Sequence, residues 1–236
     1  MDPQPRTLRL ASPYLHGPDV ADVQRMLGVE ADGAFGPVTA AAVGAWKRAR
    51  GNRMASRELT PVERVRLLAD VLLRAVRTME RWAAKGLHED PPRSDRVPEL
   101  ITLARRLGVA PAFRRMGFPW CAFAVFLAAL DAGGETAALG LRQAAFNPLY
   151  APALLEQAQA GAFGLRIVGA REAFRGDLAL FDWNLTGGDP ADHVARVVRS
   201  PSNGRVRTVD GNSGGDGLIA LRERPIWSVR AFARDS

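Results

Sequence analysis

Cys121 is the only cysteine in the chain, and His16, His88 and His193 are its only histidines. A lone cysteine cannot close an internal disulfide or supply a cysteine-rich metal site. It is therefore either a small buried hydrophobe or a nucleophile. Its setting is Phe118-Pro119-Trp120-Cys121-Ala122-Phe123-Ala124-Val125. Pro119 should break or start an element, and the apolar run from Ala122 predicts a buried helix closed by Gly133-Gly134. Cys121 then falls in the first turn, where the helix dipole and unpaired backbone N–H groups favour a thiolate. Both readings stay open on position alone.

A thiolate nucleophile needs a base. His16 lies beside a turn near the N-terminus, and His88 precedes Glu89-Asp90-Pro91-Pro92 in a predicted loop. His193 opens a predicted strand after the Gly187-Gly188-Asp189-Pro190-Ala191-Asp192 loop. A histidine at a strand start, downstream of a cysteine at a helix start, is the order a Cys–His pair requires. The alternative is a solvent-facing histidine at a loop–strand junction. A third group must orient the imidazole, and Asp210 and Asn212 flank Gly211 in Val209-Asp210-Gly211-Asn212-Ser213-Gly214. If the strand runs through them, both face one side, and the glycine permits close backbone approach. Otherwise the stretch is only a turn that ends a strand. No H-E-x-x-H or comparable paired-ligand motif is present, so neither a metal nor a cofactor is expected.

Three segments carry these residues. In 8–51, Pro18 opens a helix with Val20, Val23 and Leu27 on one face, and Gly33 and Gly36 mark a turn. A second helix there carries Thr39, Ala42, Val43 and Trp46. In 52–86, Thr60-Pro61-Val62-Glu63 is a T-x-x-E capping box with proline at the first helical position. Val62, Val65, Ala69, Leu72, Val76 and Met79 predict the inward face of the helix it starts, a linker packing on the C-terminal segment. In 87–236, strands are expected at Gly176–Asp182, His193–Val198, Arg205–Asp210 and Trp227–Ala231, with Ser200–Gly204 as a turn. Helices followed by antiparallel strands indicate an α+β fold.

At 236 residues and 47% hydrophobic, the chain can form one substantial core and a small module. The apolar run Phe118–Leu130 is too short to span a bilayer, so no membrane insertion is expected. The net charge of +7 is diffuse, with no block of five like charges, which argues against nucleic acid as partner. The first twenty residues lack the basic start and apolar stretch of a secretory signal. The protein is therefore expected in the cytoplasm until some route other than a secretory signal releases it; it is also expected to be a monomer.

The chain carries two resemblances. Gly17-Pro18-Asp19-Val20-Ala21-Asp22-Val23-Gln24-Arg25-Met26-Leu27, then Asp32-Gly33-Ala34-Phe35-Gly36 and Thr39–Val43, resembles the peptidoglycan-binding repeat of cell-wall hydrolases. Val23-Gln24 stands where that family has Leu-Gln, and Trp46-Lys47 where Phe-Gln is usual. Residues 87–236 resemble the CHAP (cysteine- and histidine-dependent amidohydrolase/peptidase) domains, papain-like enzymes of bacterial and phage wall lysis. Four stretches carry this likeness: Pro119-Trp120-Cys121-Ala122-Phe123, Arg175–Phe181, Asp192-His193-Val194-Ala195 and Val209-Asp210-Gly211-Asn212. Glu89-Asp90-Pro91-Pro92-Arg93-Ser94-Asp95 faintly echoes an upstream family motif. The likeness implies a papain-like catalytic domain of helices packed on an antiparallel sheet, after a small all-α wall-binding module. It implies Cys121 as nucleophile and His193 as general base. The family's acidic residue, more often glutamate, falls on Asp210 and its asparagine on Asn212, leaving open which of the two orients the imidazole. Trp120, Asp192 and Trp183 are candidate substrate-binding residues. The implied substrate is an amide bond of bacterial peptidoglycan, as for an endolysin. A zinc-dependent wall peptidase and a non-catalytic wall-binding protein are the competing expectations.

Overall fold

The computed structural model describes residues 6–52, 54–109, 120–133, 150–162, 165–183, 191–214 and 217–235. Pro119, Gly134 and the Gly187–Pro190 part of the loop before His193 lie outside them. The described chain is α+β, with six α-helices and one six-stranded antiparallel sheet. None of its helices is long and apolar enough to cross a membrane. It divides into two compact units, Met1–Val71 and Leu72–Ser236.

The first unit holds α1 (Pro18–Leu27), α2 (Pro37–Arg48) and the start of α3 (Pro61–Ala84). Each helix begins with proline, whose missing N–H costs nothing in the first turn. Val20 and Val23 of α1 and Ala40 and Val43 of α2 close on Leu8, Phe35, Leu59 and Leu67. Gln24 ties the intervening turn together. Its Nε2 donates to Asp32 Oδ1, the Ala34 carbonyl and Thr39 Oγ1, and its Oε1 accepts from the Gly33 N–H. Gly33 takes φ 74°, a left-handed conformation that costs glycine little.

The capping box at the head of α3 forms in both directions. The Thr60 N–H donates to Glu63 Oε2 at 2.9 Å, and the Glu63 N–H donates to Thr60 Oγ1 at 3.3 Å. Such caps contribute about 1 kcal/mol. The buried face of α3 is the expected one at Leu72, Val76 and Met79 but not at the start of the helix. Val62 and Val65 are 63% and 69% exposed, whereas Leu67, Val71, Leu72, Ala75, Val76 and Met79 are buried. The two valines fit the helical period but lie in the first five residues of the helix, where that side is exposed. The division between units falls inside α3, so residues 52–86 contribute to both.

The second unit adds α4 (Pro98–Arg106), α5 (Cys121–Asp131) and α6 (Ala151–Ala160) to the sheet. The strands are β1 (Leu165–Val168), β2 (Leu178–Phe181), β3 (His193–Ser202), β4 (Arg205–Ser213), β5 (Leu218–Pro225) and β6 (Val229–Asp235), in the order β1-β6-β2-β3-β4-β5. β3 runs further than its alternation suggests. Asn203 and Gly204, at φ 49° and 70°, turn the chain within a two-residue hairpin, which the right-handed twist of the strands favours. The last strand starts at Val229, because Ile226–Ser228 forms a 3-10 turn with Trp227 outward. β1 and β5, unforeseen in the sequence, are the two edges.

α5 is buried from Cys121 to Leu130 and packs on β3 and β4. Its apolar side chains share one core cluster with Leu178, Leu180, Val194 and Val209. The approach is close because residue 211 is glycine. A Cβ there would stand 2.7 Å from Ala124 Cβ and 3.1 Å from the Trp120 ring. Gly211→Ala is accordingly expected to destabilise the protein by about 1–3 kcal/mol through overpacking, measured as a lower denaturation midpoint. An unchanged midpoint would show that α5 is not held this tightly.

Candidate active site

Cys121 is the first residue of α5, with Trp120 at the N-cap and no side chain capping the helix. The first-turn N–H groups therefore have no intrahelical partners and point along the helix dipole. What fixes this end is Trp120. It is wholly buried, and its indole N–H donates to Glu89 Oε1 at 2.8 Å. Trp120 was expected against substrate, but its side chain lies in the core and anchors the residue next to the thiol. Glu89 is buried as well, and a Cβ on Gly217 would fall 2.2 Å from its carboxylate.

His193 is the first residue of β3, opposite Phe181 of β2, and Asp210 of β4 stands opposite Ala195 of β3. His193 and Asp210 thus project from one face of the sheet. The Nε2 of His193 lies 3.3 Å from Asp210 Oδ2, a close contact that falls short of a well-formed hydrogen bond yet favours the charged ring. The same imidazole also interacts with the Cys121 thiol, through a hydrogen bond and through its charge.

Asp210 has no exposed surface, and three side chains share its oxygens. Thr208 Oγ1 donates to Oδ1 at 2.5 Å, and Arg224 donates to Oδ2 from Nη2 at 2.6 Å and Nε at 3.1 Å. Neither Thr208 nor Arg224 was singled out in the sequence. Thr208 could have been found, since it lies two residues before Asp210 on the same strand face. Arg224 reaches across from β5 and left no local signal.

Asn212 does not share the face of Asp210. The β4–β5 register shifts between Asp210 and Ser213, and Asn212 takes φ 53°, which breaks the alternation that would align the two. Asp210 is the group that meets the imidazole.

Trp183, 41% exposed, forms the rim. Its ring stacks on Phe181 with centroids 4.9 Å apart, stands 6.1 Å from the His193 ring and lies beneath the Arg224 guanidinium. Asp192 clamps the ends of β2 and β3. Its N–H donates to the Phe181 carbonyl at 2.7 Å, and its Oδ2 accepts from the Trp183 N–H at 2.8 Å. His16 and His88 are both exposed, and His88 Nδ1 lies 2.8 Å from the Gly86 carbonyl.

Electrostatics bias this group towards an ion pair. Burial pushes the Cys121 thiol up. The hydrogen bond and charge of His193, with the Val194 and Ala122 N–H groups, outweigh it and leave the thiol below its ordinary value. Burial disfavours the imidazolium too, yet contact with Asp210 and Cys121 raises His193 to about 9. For Asp210, burial is outweighed by His193, Thr208 and Arg224, which keep the carboxylate ionised. Among the described residues, no three His, Cys, Asp or Glu side chains converge as a metal-ligand set.

No family model matches the chain, and neither a curated protein nor a solved structure matches it.

A thiol depressed by a neighbouring imidazolium should react at lower pH than a free thiol, whose pKa is ~8.5. Iodoacetamide labelling of Cys121 against pH is expected to show this, and His193→Ala should move the profile upward, because burial is then opposed only by the Val194 and Ala122 N–H groups. Coincident profiles for the two proteins would rule out the pair.

Proposed function

We propose that the protein is a cysteine amidohydrolase of the bacterial cell wall, with a papain-like, CHAP-type catalytic domain. The single observation supporting this most is the convergence of Cys121, His193 and Asp210 at a helix start and two strand faces. Peptidoglycan as substrate rests on the two sequence resemblances, in which the N-terminal segment serves as a wall-binding module and raises the local substrate concentration.

In this reaction the Cys121 thiolate attacks the carbonyl carbon of a peptidoglycan amide. Backbone N–H groups in the first turn of α5 steady the oxyanion. The C–N bond then breaks, and the His193 imidazolium gives its proton to the departing amine, leaving a thioester on Cys121. Water attacks the thioester while His193 takes its proton. The C–S bond breaks, the acid is released and the thiolate returns. Asp210 holds the imidazole and balances its charge. An N-acetylmuramoyl-L-alanine amide and a peptide cross-link both suit this chemistry. The enzyme would reach the wall through a holin or another export route, as an endolysin does.

The imidazolium must be present when the amine departs. Because His193 is raised to about 9, activity should persist through neutral pH and fall as pH rises through that value. Cys121→Ala should lower the release of soluble fragments from purified sacculi by at least about a thousandfold, while circular dichroism stays native and the protein still sediments with sacculi. Undiminished release by Cys121→Ala would overturn the assignment. Release abolished by a chelator but not by iodoacetamide would favour a zinc peptidase instead.

A further inference from the structure

Asp210 Oδ2 is shared unequally between two cations. Arg224 reaches it with two N–H groups at 2.6 and 3.1 Å, whereas His193 Nε2 stands 3.3 Å away without a straight hydrogen bond. The other oxygen is occupied by Thr208. The carboxylate is completely buried, so no bulk water competes for it, and each partner gains what the other gives up. Arg224 is itself held in place, with its guanidinium 4.9 Å above the Trp183 ring and its side chain about a quarter exposed.

We propose that Arg224 is a positioning residue of the Cys121–His193–Asp210 group: by taking the stronger share of Asp210 Oδ2, it sets the pH at which His193 gives up its proton. This deepens the cysteine amidohydrolase reading and rests on it for its catalytic meaning. Among the described residues, the groups facing the imidazole are Cys121 from α5, Asp210 from β4 with Arg224 of β5 behind it, and the neutral rings of Phe181 and Trp183. Arg224 acts on His193 in two ways of the same sign. Its positive charge disfavours a second cation nearby, and its hydrogen bonds draw the carboxylate away from the ring. An imidazolium held too tightly would be a poor proton donor to the amine and, once neutral, a base out of step with neutral pH.

Three proteins test this: the unaltered chain, Arg224→Met and Arg224→Lys. In each, iodoacetamide alkylation of Cys121 is followed against pH, because the reactivity of the thiolate changes as the neighbouring imidazolium loses its proton. Arg224→Met should move that upper inflection to higher pH by about one unit, and Arg224→Lys, which keeps the charge, should restore most of the original profile. An upper inflection that stays in place or moves down in folded Arg224→Met would overturn the proposal. If Arg224→Met does not fold, Arg224→Gln, which keeps a donor but not the charge, takes its place: an upward shift supports the proposal, and no shift or a downward one overturns it. The readout is on the thiol itself. A failure to cleave peptidoglycan would therefore count against the proposed activity and leave the Arg224 result to be judged separately.

Discussion

The site depends on how closely α5 can lie against β4. Backbone contact between a helix and a strand is normally kept apart by Cβ atoms on both sides. Here Gly211 removes one of them where Ala124 and the Trp120 ring come nearest. The helix start can then reach the strand ends that carry His193 and Asp210. The buried Glu89 carboxylate holds Trp120 by its indole N–H, so the N-terminus of α5 is fixed by a hydrogen bond as well as by packing. An ion pair in a buried setting needs this kind of positional control, because a charge displaced by an ångström loses its partner but not its desolvation cost.

Burial raises the cost of every charge in the group, and each charge is compensated by another. Cys121 and His193 favour each other's ionised forms, and Asp210 supports the imidazolium from the far side. Thr208 satisfies the oxygen that His193 leaves open, and Arg224 shares the other with His193. Arg224 connects this interior chain to Trp183, the most exposed ring near the imidazole. The chemistry and the rim are thus joined through one guanidinium.

Legibility in the sequence followed the range of the interactions. The proline-led α1 and α2, the capping box at Thr60 and Glu63, and the alternation of β3 and β4 all arise within a few residues, and they could be read directly. So could the placement of Cys121 at a helix start and of His193 at a strand start. The edge strands β1 and β5 were not legible, since a four-residue strand and a strand interrupted by Arg222, Glu223 and Arg224 lack a clear period of two. Val62 and Val65 had the right helical spacing, but exposure depends on what covers a turn and not on its pattern. Asn212 failed for a related reason. The register shift beyond Asp210 belongs to the pairing with β5, and one strand's sequence does not contain it. The burial of Trp120, a candidate substrate contact in the sequence, was not legible because its partner Glu89 is distant in the chain.

The most direct test of the central chemistry is to trap the acyl intermediate. The protein mixed with muropeptides would be quenched in acid, digested and analysed by mass spectrometry. A thioester-linked fragment on the peptide containing Cys121, released by hydroxylamine, is the expected result. Amide cleavage that proceeds with Cys121 unmodified throughout, and at the same rate after that thiol is blocked, would contradict it.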